Sequence, residues 1–175
     1  MTEPLRVLFV CTANICRSPH MELTARALAG DSRSVAFSSA GTQGFSAHPM
    51  DEEMARTLPA EVAHGEFRSR PLDKAILDGV DLVLTAESSH RARILEEHPA
   101  LLRKVFSLGQ FAAAVPNHPG LRGRELVQAM GMRRTPALVE HDVDDPYRRG
   151  TEAAQATAGT ISTMLSVIVP ALVDD

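Results

Sequence analysis

The run LRVLFV, Leu5 to Val10, passes without a spacer into CTANICRSP, and this junction limits the fold more than any other stretch of the chain. An almost continuous apolar run of strand length suits a strand buried on both faces, the situation of a parallel sheet covered by helices. A helix is predicted from Pro19 to Ala29, with Ser18 as N-cap, Pro19 at the first helical position and Gly30 as its stop. Strand, short loop and helix make the first half of a crossover unit.

The alternation continues along the chain. SVAFSSAG reads as a second strand ending at Gly41, Pro49–Leu58 and Leu72–Gly79 as helices, VDLVLTA as a third strand, and Glu87–His98 as a helix stopped by Pro99. KVFSL is a short fourth strand. Residues 110–140 carry Pro116, Pro119, Gly120, Gly123, Gly131 and Pro136, which predicts loops around one short helix, Arg122–Ala129. Thr151–Leu172 has a helical apolar stripe at Ala154, Ala158, Ile161, Leu165, Ile168 and Leu172. The pattern predicts an open parallel α/β sheet with right-handed crossovers and helices on both faces, whose ligands sit at the carboxyl ends of the strands. Cys11 begins at such an end.

With 175 residues, 44% of them apolar, the chain can build one domain with a sizeable core. A net charge of -4 offers no basic footprint, which argues against nucleic acid or an anionic membrane as partner. The N-terminus reads as lacking a signal-peptide core, and MLSVIVPALV is short for a membrane span and contains Pro170, so a cytoplasmic protein is expected. Two thiols in a reducing compartment point to chemistry or burial before a structural disulfide. No histidine pair has metal-ligand spacing, and no metal or cofactor is expected; His48, His64, His90, His98, His118 and His141 read as surface or turn residues, and His20 as an exposed first-turn residue.

From Cys11 to Arg17 the spacing is Cys-x5-Arg, on a loop joining a strand to a helix N-terminus. Such a loop can curl its backbone N–H groups inward into an anion nest on the positive end of the helix. Arg17 would close the nest with a planar fork that pairs with two phosphate oxygens. The same groups favour a thiolate at Cys11, the candidate nucleophile, and the Ser18 hydroxyl could bond it. Phosphoryl transfer from an oxygen ester also needs an acid, and HDVDDPYRRG offers Asp142, Asp144 and Asp145; spacing alone does not choose among them.

The loop VCTANICRSP and the late DDPY resemble the low-molecular-weight protein tyrosine phosphatase family, whose loop reads V-C-x-G-N-x-C-R-S-P and whose acid lies in D-P-Y. The likeness runs through FSSAGT, FRSRPL and DLVLTAE. It implies a flavodoxin-like three-layer α/β/α fold with a four-stranded parallel sheet. It further implies hydrolysis of phosphotyrosine in a protein substrate through a phosphocysteine, with Cys11 as nucleophile, Arg17 as phosphate binder and Asp145 as general acid and base. Thr12, Ala13, Asn14, Ile15, Cys16, Ser18 and Tyr147 complete the phosphate- and substrate-binding set. Cys16 matches a second cysteine that can pair with the nucleophile under oxidation.

Departures from the pattern accompany the match. Ala13 replaces a glycine, Phe67 stands where many members have a histidine linked to the loop asparagine, and Arg148 follows Tyr147 where a second aromatic is common. Residues 1–175 read as one domain with an insertion at about 110–140. Two other functions are compatible with the loop. Thiol-linked arsenate reduction normally relays through further cysteines, and none follows Cys16; a non-catalytic phosphotyrosine-binding module would tolerate Ala13 and Phe67. Oligomeric state is left open.

Overall fold

The computed structural model describes residues 3–174. Four parallel strands, β1 (Leu5–Cys11), β2 (Val35–Gly41), β3 (Leu82–Thr85) and β4 (Val105–Ser107), form one sheet in the order β2-β1-β3-β4. The chain leaves β1 toward one edge and later returns to the other side of it, so the order reverses at the carboxyl end of β1. That is where an open sheet leaves a crevice.

Residues of β1 alternate between two cores. Val7, Phe9 and Cys11 pack with Phe37, Leu84 and Phe106 in the larger core, while Leu8 and Val10 pack with Ala40, Val83, Ile94 and Val105 in the smaller. The larger core is closed by α1 (Arg17–Ala29), α2 (Glu52–Ala55), α5 (Leu108–Ala114), α6 (Gly123–Met132) and α7 (Gly150–Leu172). The smaller is closed by α3 (Lys74–Asp78) and α4 (Ser88–Glu97). The expected three layers are therefore present. All six residues of the predicted α7 stripe are buried. By length and composition α7 could cross a bilayer, but that buried face makes it a core helix.

Several local expectations change. Helix α1 begins at Arg17 with Cys16 at the N-cap position, because the Ser18 hydroxyl turns to Cys11 and Asn14 instead of capping the helix. The helix expected over Pro49–Leu58 contracts to one turn capped by the Asp51 carboxylate on the Met54 N–H. Residues 110–140 hold most of α5 as well as α6. The Ser107 hydroxyl accepts from the Gln110 N–H while the Gln110 side chain accepts from the Ser107 N–H, a reciprocal cap whose signal lies just before the proline-rich stretch.

His20, expected at the surface, is 2% exposed; its Nδ1 faces the Thr24 hydroxyl at 3.2 Å and its Nε2 has no hydrogen-bond partner. Burial pushes its pKa down to about 4 from 6.5. The unfolded chain thus binds a proton that the folded chain refuses between these values. Stability contributed by neutral His20 is complete above pH 6.5 and drains away as the pH falls toward 4. Between about pH 7.5 and 4.5 wild type should lose roughly 2–3 kcal/mol more than His20→Leu in urea unfolding. Equal losses in both proteins would exclude His20 as the titrating group.

Candidate active site

β1 delivers Cys11 to the crevice, and residues 12–16 turn back over its end before α1 starts. Two backbone contacts shape this turn: Thr42 N–H donates to the Cys11 carbonyl at 2.9 Å and Gln43 N–H to the Thr12 carbonyl at 2.8 Å. They extend the β1–β2 pairing, which ends in register at Cys11 and Gly41. Gly41 is required by close approach: a Cβ there would lie 2.7 Å from the Thr12 carbonyl oxygen and 2.9 Å from Asn14 N.

Asn14 takes the left-handed conformation in the loop, with φ of 56°, and asparagine tolerates that region better than most residues. Ala13 has no positive φ, so its methyl group imposes no strained backbone. Asn14 is fully buried and fully bonded. Its Nδ2 donates to Ser18 Oγ at 2.8 Å and Ser39 Oγ at 2.9 Å, and its Oδ1 accepts from the Arg70 N–H at 2.9 Å. The loop therefore keeps its support without a histidine at 67, where Phe67 instead packs against the larger core. Ser39 in turn donates to Glu22, which pairs with Arg26.

Cys11 Sγ lies 3.1 Å from Ser18 Oγ. Because that oxygen already accepts from Asn14, the serine proton is free to point at sulfur; its other acceptor, the Ala40 carbonyl, is 3.5 Å away. Cys16 is also buried and unpaired as a thiol. Burial pushes its pKa far up, with the charges of Asp51, Cys11 and Asp145 adding to the effect, so Cys16 is held protonated.

Arg17 is 2% exposed, the largest of the fully buried side chains. A buried guanidinium needs partners, and it finds three: the Glu87 carboxylate, the Val143 carbonyl at 2.8 Å, and Asp145 Oδ2 at 3.4 Å. Partial burial pushes the Glu87 carboxyl up, but the bond and charge of Arg17 prevail and hold it below the ordinary range. Glu87 lies just past β3 at the strand-order reversal, a position that the switch-point rule could have singled out from sequence.

The three acidic candidates separate by position. Asp142 accepts from the Ser88 N–H at 2.7 Å and hydroxyl at 2.9 Å, and so fastens the late loop to the start of α4. The Asp144 carbonyl accepts from the Thr157 hydroxyl. Only Asp145 reaches Arg17, and it is half exposed. Cys11, Thr12, Ala13, Ile15, Cys16, Arg17, Phe45, Asp145 and Tyr147 line one cleft of about 190 Å³. Asn14 and Ser18 stand behind its wall. A larger hollow of about 760 Å³ beside β2, between Arg26, Phe67 and Arg70, contains neither thiol. Arg148 lies 5.1 Å over the Tyr147 ring, which makes the rim cationic. Among the described residues no cluster of histidine, cysteine and carboxylate could hold a metal.

Residues 6–121 match the model of the low molecular weight phosphotyrosine protein phosphatase family. A probable low molecular weight protein-tyrosine-phosphatase EpsP of Ralstonia solanacearum is 27% identical over 169 residues, covering 94% of this chain and 93% of its own. A protein-arginine-phosphatase of Geobacillus stearothermophilus is 36% identical over 115 residues, 63% of this chain and 73% of its own. Among solved structures, a low molecular weight protein tyrosine phosphatase from T. tengcongensis superposes with a TM-score of 0.72 at 27% identity, covering 95% of this chain and 98% of that one. The YwlE arginine phosphatase from Geobacillus stearothermophilus gives 0.74 at 25% identity, covering 95% and 92%.

The close fit at Gly41 makes a test independent of turnover. Gly41→Ala should push the Thr12–Asn14 backbone outward and weaken phosphate binding about tenfold in calorimetry, since each displaced N–H bond to an anion is worth about 1.5 kcal/mol. Unchanged phosphate affinity would show that the loop does not depend on this contact.

Proposed function

The chain is a protein-tyrosine phosphatase of the low molecular weight phosphotyrosine protein phosphatase family, and we propose that Cys11, Arg17 and Asp145 carry its reaction on phosphotyrosine in protein substrates. One observation carries this assignment: thiol, buried guanidinium and half-exposed carboxylate converge on a single cleft although Asp145 lies far along the chain from Cys11 and Arg17. In the first step the Cys11 thiolate attacks phosphorus in line, the sulfur–phosphorus bond forms, and the bond to the phenolic oxygen breaks as Asp145 gives that oxygen its proton. In the second step Asp145, now a base, takes a proton from water, whose oxygen displaces the thiolate. The loop N–H groups of residues 12–16 and the Arg17 fork hold the equatorial oxygens throughout, and Ser18 steadies the thiolate as leaving group.

Arginine phosphatases among the relatives raise the question of which phosphorylated side chain enters. Ile15, Phe45 and Tyr147 supply an apolar slot above Cys11. A phenyl ring gains by burial there, whereas a guanidinium loses hydration against it. The absence of any cysteine beyond Cys16 counts against an arsenate-reducing thiol relay. Residues 1–175 act as one phosphatase domain, and the 110–140 segment serves to carry the chain to the acid loop. Two buried free thiols suit a reducing compartment such as the cytoplasm.

Phosphate release from p-nitrophenyl phosphate and a phosphotyrosine peptide tests the assignment. Cys11→Ser should reduce it to background, and Asp145→Asn should lower kcat about 10²–10³-fold, less with the good p-nitrophenyl leaving group than with the peptide. A phosphoarginine peptide should react at least about tenfold more slowly than phosphotyrosine, the effect of about 1.4 kcal/mol. Wild-type turnover no greater than that of Cys11→Ser would reject an enzyme in favour of a binding module.

Cys16 supplies a second line of work for the same loop. Peroxide converts the Cys11 thiolate to a sulfenic acid, and Cys16, on losing its proton, displaces water to give a disulfide that an added thiol reduces. Because burial holds Cys16 protonated, closure should be slow and the wild type only partly protected. After peroxide and then dithiothreitol, wild type should regain several-fold more activity than Cys16→Ser. Equal recovery would remove the protective role.

A further inference from the structure

The short turn after β3 touches both Arg17 and the late loop. The Ala86 carbonyl accepts from the Val143 N–H, Ser88 is held by Asp142, and Glu87 pairs with Arg17. The fourth connection runs through His90, in the first turn of α4, which is 7% exposed although a surface or turn residue was expected. Its Nδ1 lies 3.2 Å from the Glu87 N–H, and its Nε2 lies 2.8 Å from Thr12 Oγ1, 78 positions away in sequence on the nucleophile's loop.

These two contacts fix the ring's state. A backbone N–H can only donate, so Nδ1 must present its lone pair to Glu87 and the single ring proton sits on Nε2, donated to the Thr12 hydroxyl. The charged groups facing the ring are Arg17 from α1, Glu87 from its own turn, and Asp142 and Asp145 from the late loop. Burial, reinforced by Arg17, outweighs the three carboxylates and holds the imidazole neutral by lowering its pKa. A second proton would place a donor against the Glu87 donor.

We propose that His90 is a positioning residue for the phosphatase reaction: by bridging the Glu87 backbone to the Thr12 side chain, it sets the carboxylate that aims Arg17 in fixed register with the loop that carries Cys11. The inference rests on the functional reading above, because the register matters only if both elements hold one phosphoryl group. Two anion-binding parts that come from separate elements must agree within a fraction of an ångström to serve one transition state. His90 ties them by a side-chain bond that adds to the Glu87–Arg17 pair. It is not among the residues that line the cleft.

Three substitutions separate the two bonds. Glutamine can place a donor where Nε2 stands, asparagine can supply only an acceptor where Nδ1 stands, and alanine supplies neither. His90→Ala should lower kcat about tenfold, with a smaller rise in KM, the effect expected for losing hydrogen bonds that hold an aligned site. His90→Gln should recover most of that loss, whereas His90→Asn should recover thermal stability but not kcat. In a Thr12→Val background His90→Ala should cost several-fold less than in wild type, because the shared bond is already gone.

Nitrogen-15 spectra of the wild-type imidazole give a readout that does not use turnover. Nδ1 should appear as the unprotonated nitrogen and Nε2 as the protonated one at neutral pH. The opposite tautomer, or kcat values for the alanine and asparagine variants equal to wild type while the proteins remain folded, would overturn the proposal. Wild-type turnover at the level of Cys11→Ser would instead reject the functional reading, and the tautomer result would stand separately.

Discussion

The site depends on placing one full positive charge inside the protein. Arg17 is almost entirely buried at the first position of α1, where the positive end of the helix adds to the electrostatic cost. Leaving such a charge without a partner costs about 3–5 kcal/mol, so the fold must bring compensation to it. It does so from two distant segments, the turn after β3 with Glu87 and the late loop with Val143 and Asp145. The ion pairs that stabilise the arginine are also what assemble the site, since an element that failed to arrive would leave the charge exposed to low dielectric. Asp145 is the partner on the solvent side, which places an exposed carboxylate beside the buried guanidinium.

The loop below the arginine is held in a different way, by backbone shape and a buried polar network. Asn14 supplies the left-handed turn, and its amide satisfies Ser18, Ser39 and Arg70 together. Every buried polar atom of that side chain has a partner, which is the condition under which a polar network rigidifies a site. Gly41 lets β2 approach closely enough to pair with the loop backbone. The Ala13 methyl and the missing histidine at 67 leave this support intact, because neither residue supplies a bond that the loop needs.

The segment between β4 and α7 earns its length by delivering Asp145 across the molecule. Its capping box starts α5, and the Gln110 amide then bonds the Thr135 carbonyl on the return path. Arg134 stacks 4.5 Å over Phe106 and bonds the carbonyls of Leu102 and Val105, covering the exposed edge of β4. The last fastening, Asp142 on Ser88 and Val143 on Ala86, lies next to the acid itself. Of the prolines and glycines that made this region look like loop, Pro116, Pro119, Gly120 and Gly123 cluster where α5 gives way to α6, whereas Gly131 lies inside α6 and Pro136 follows it.

Local chemistry was legible along the chain. Apolar runs marked the strands, the 3.6-residue stripe marked α7, and Cys-x5-Arg marked a loop between a strand and a helix, because each depends only on neighbours in sequence. His20, expected to be exposed, and His90, expected at the surface or in a turn, are both buried, and the reason the sequence did not show it is the same: one imidazole among polar neighbours carries no sign of what will cover it. The approach of Asp145, and not Asp142 or Asp144, to Arg17, the pairing of Glu87 with Arg17, and the bridge from His90 to Thr12 were decided only by tertiary structure. Each joins residues more than fifty positions apart, and a hydrogen bond is specified by a separation of about 3 Å. The sequence could name the groups that such bonds require, but only the packed sheet brought them within reach.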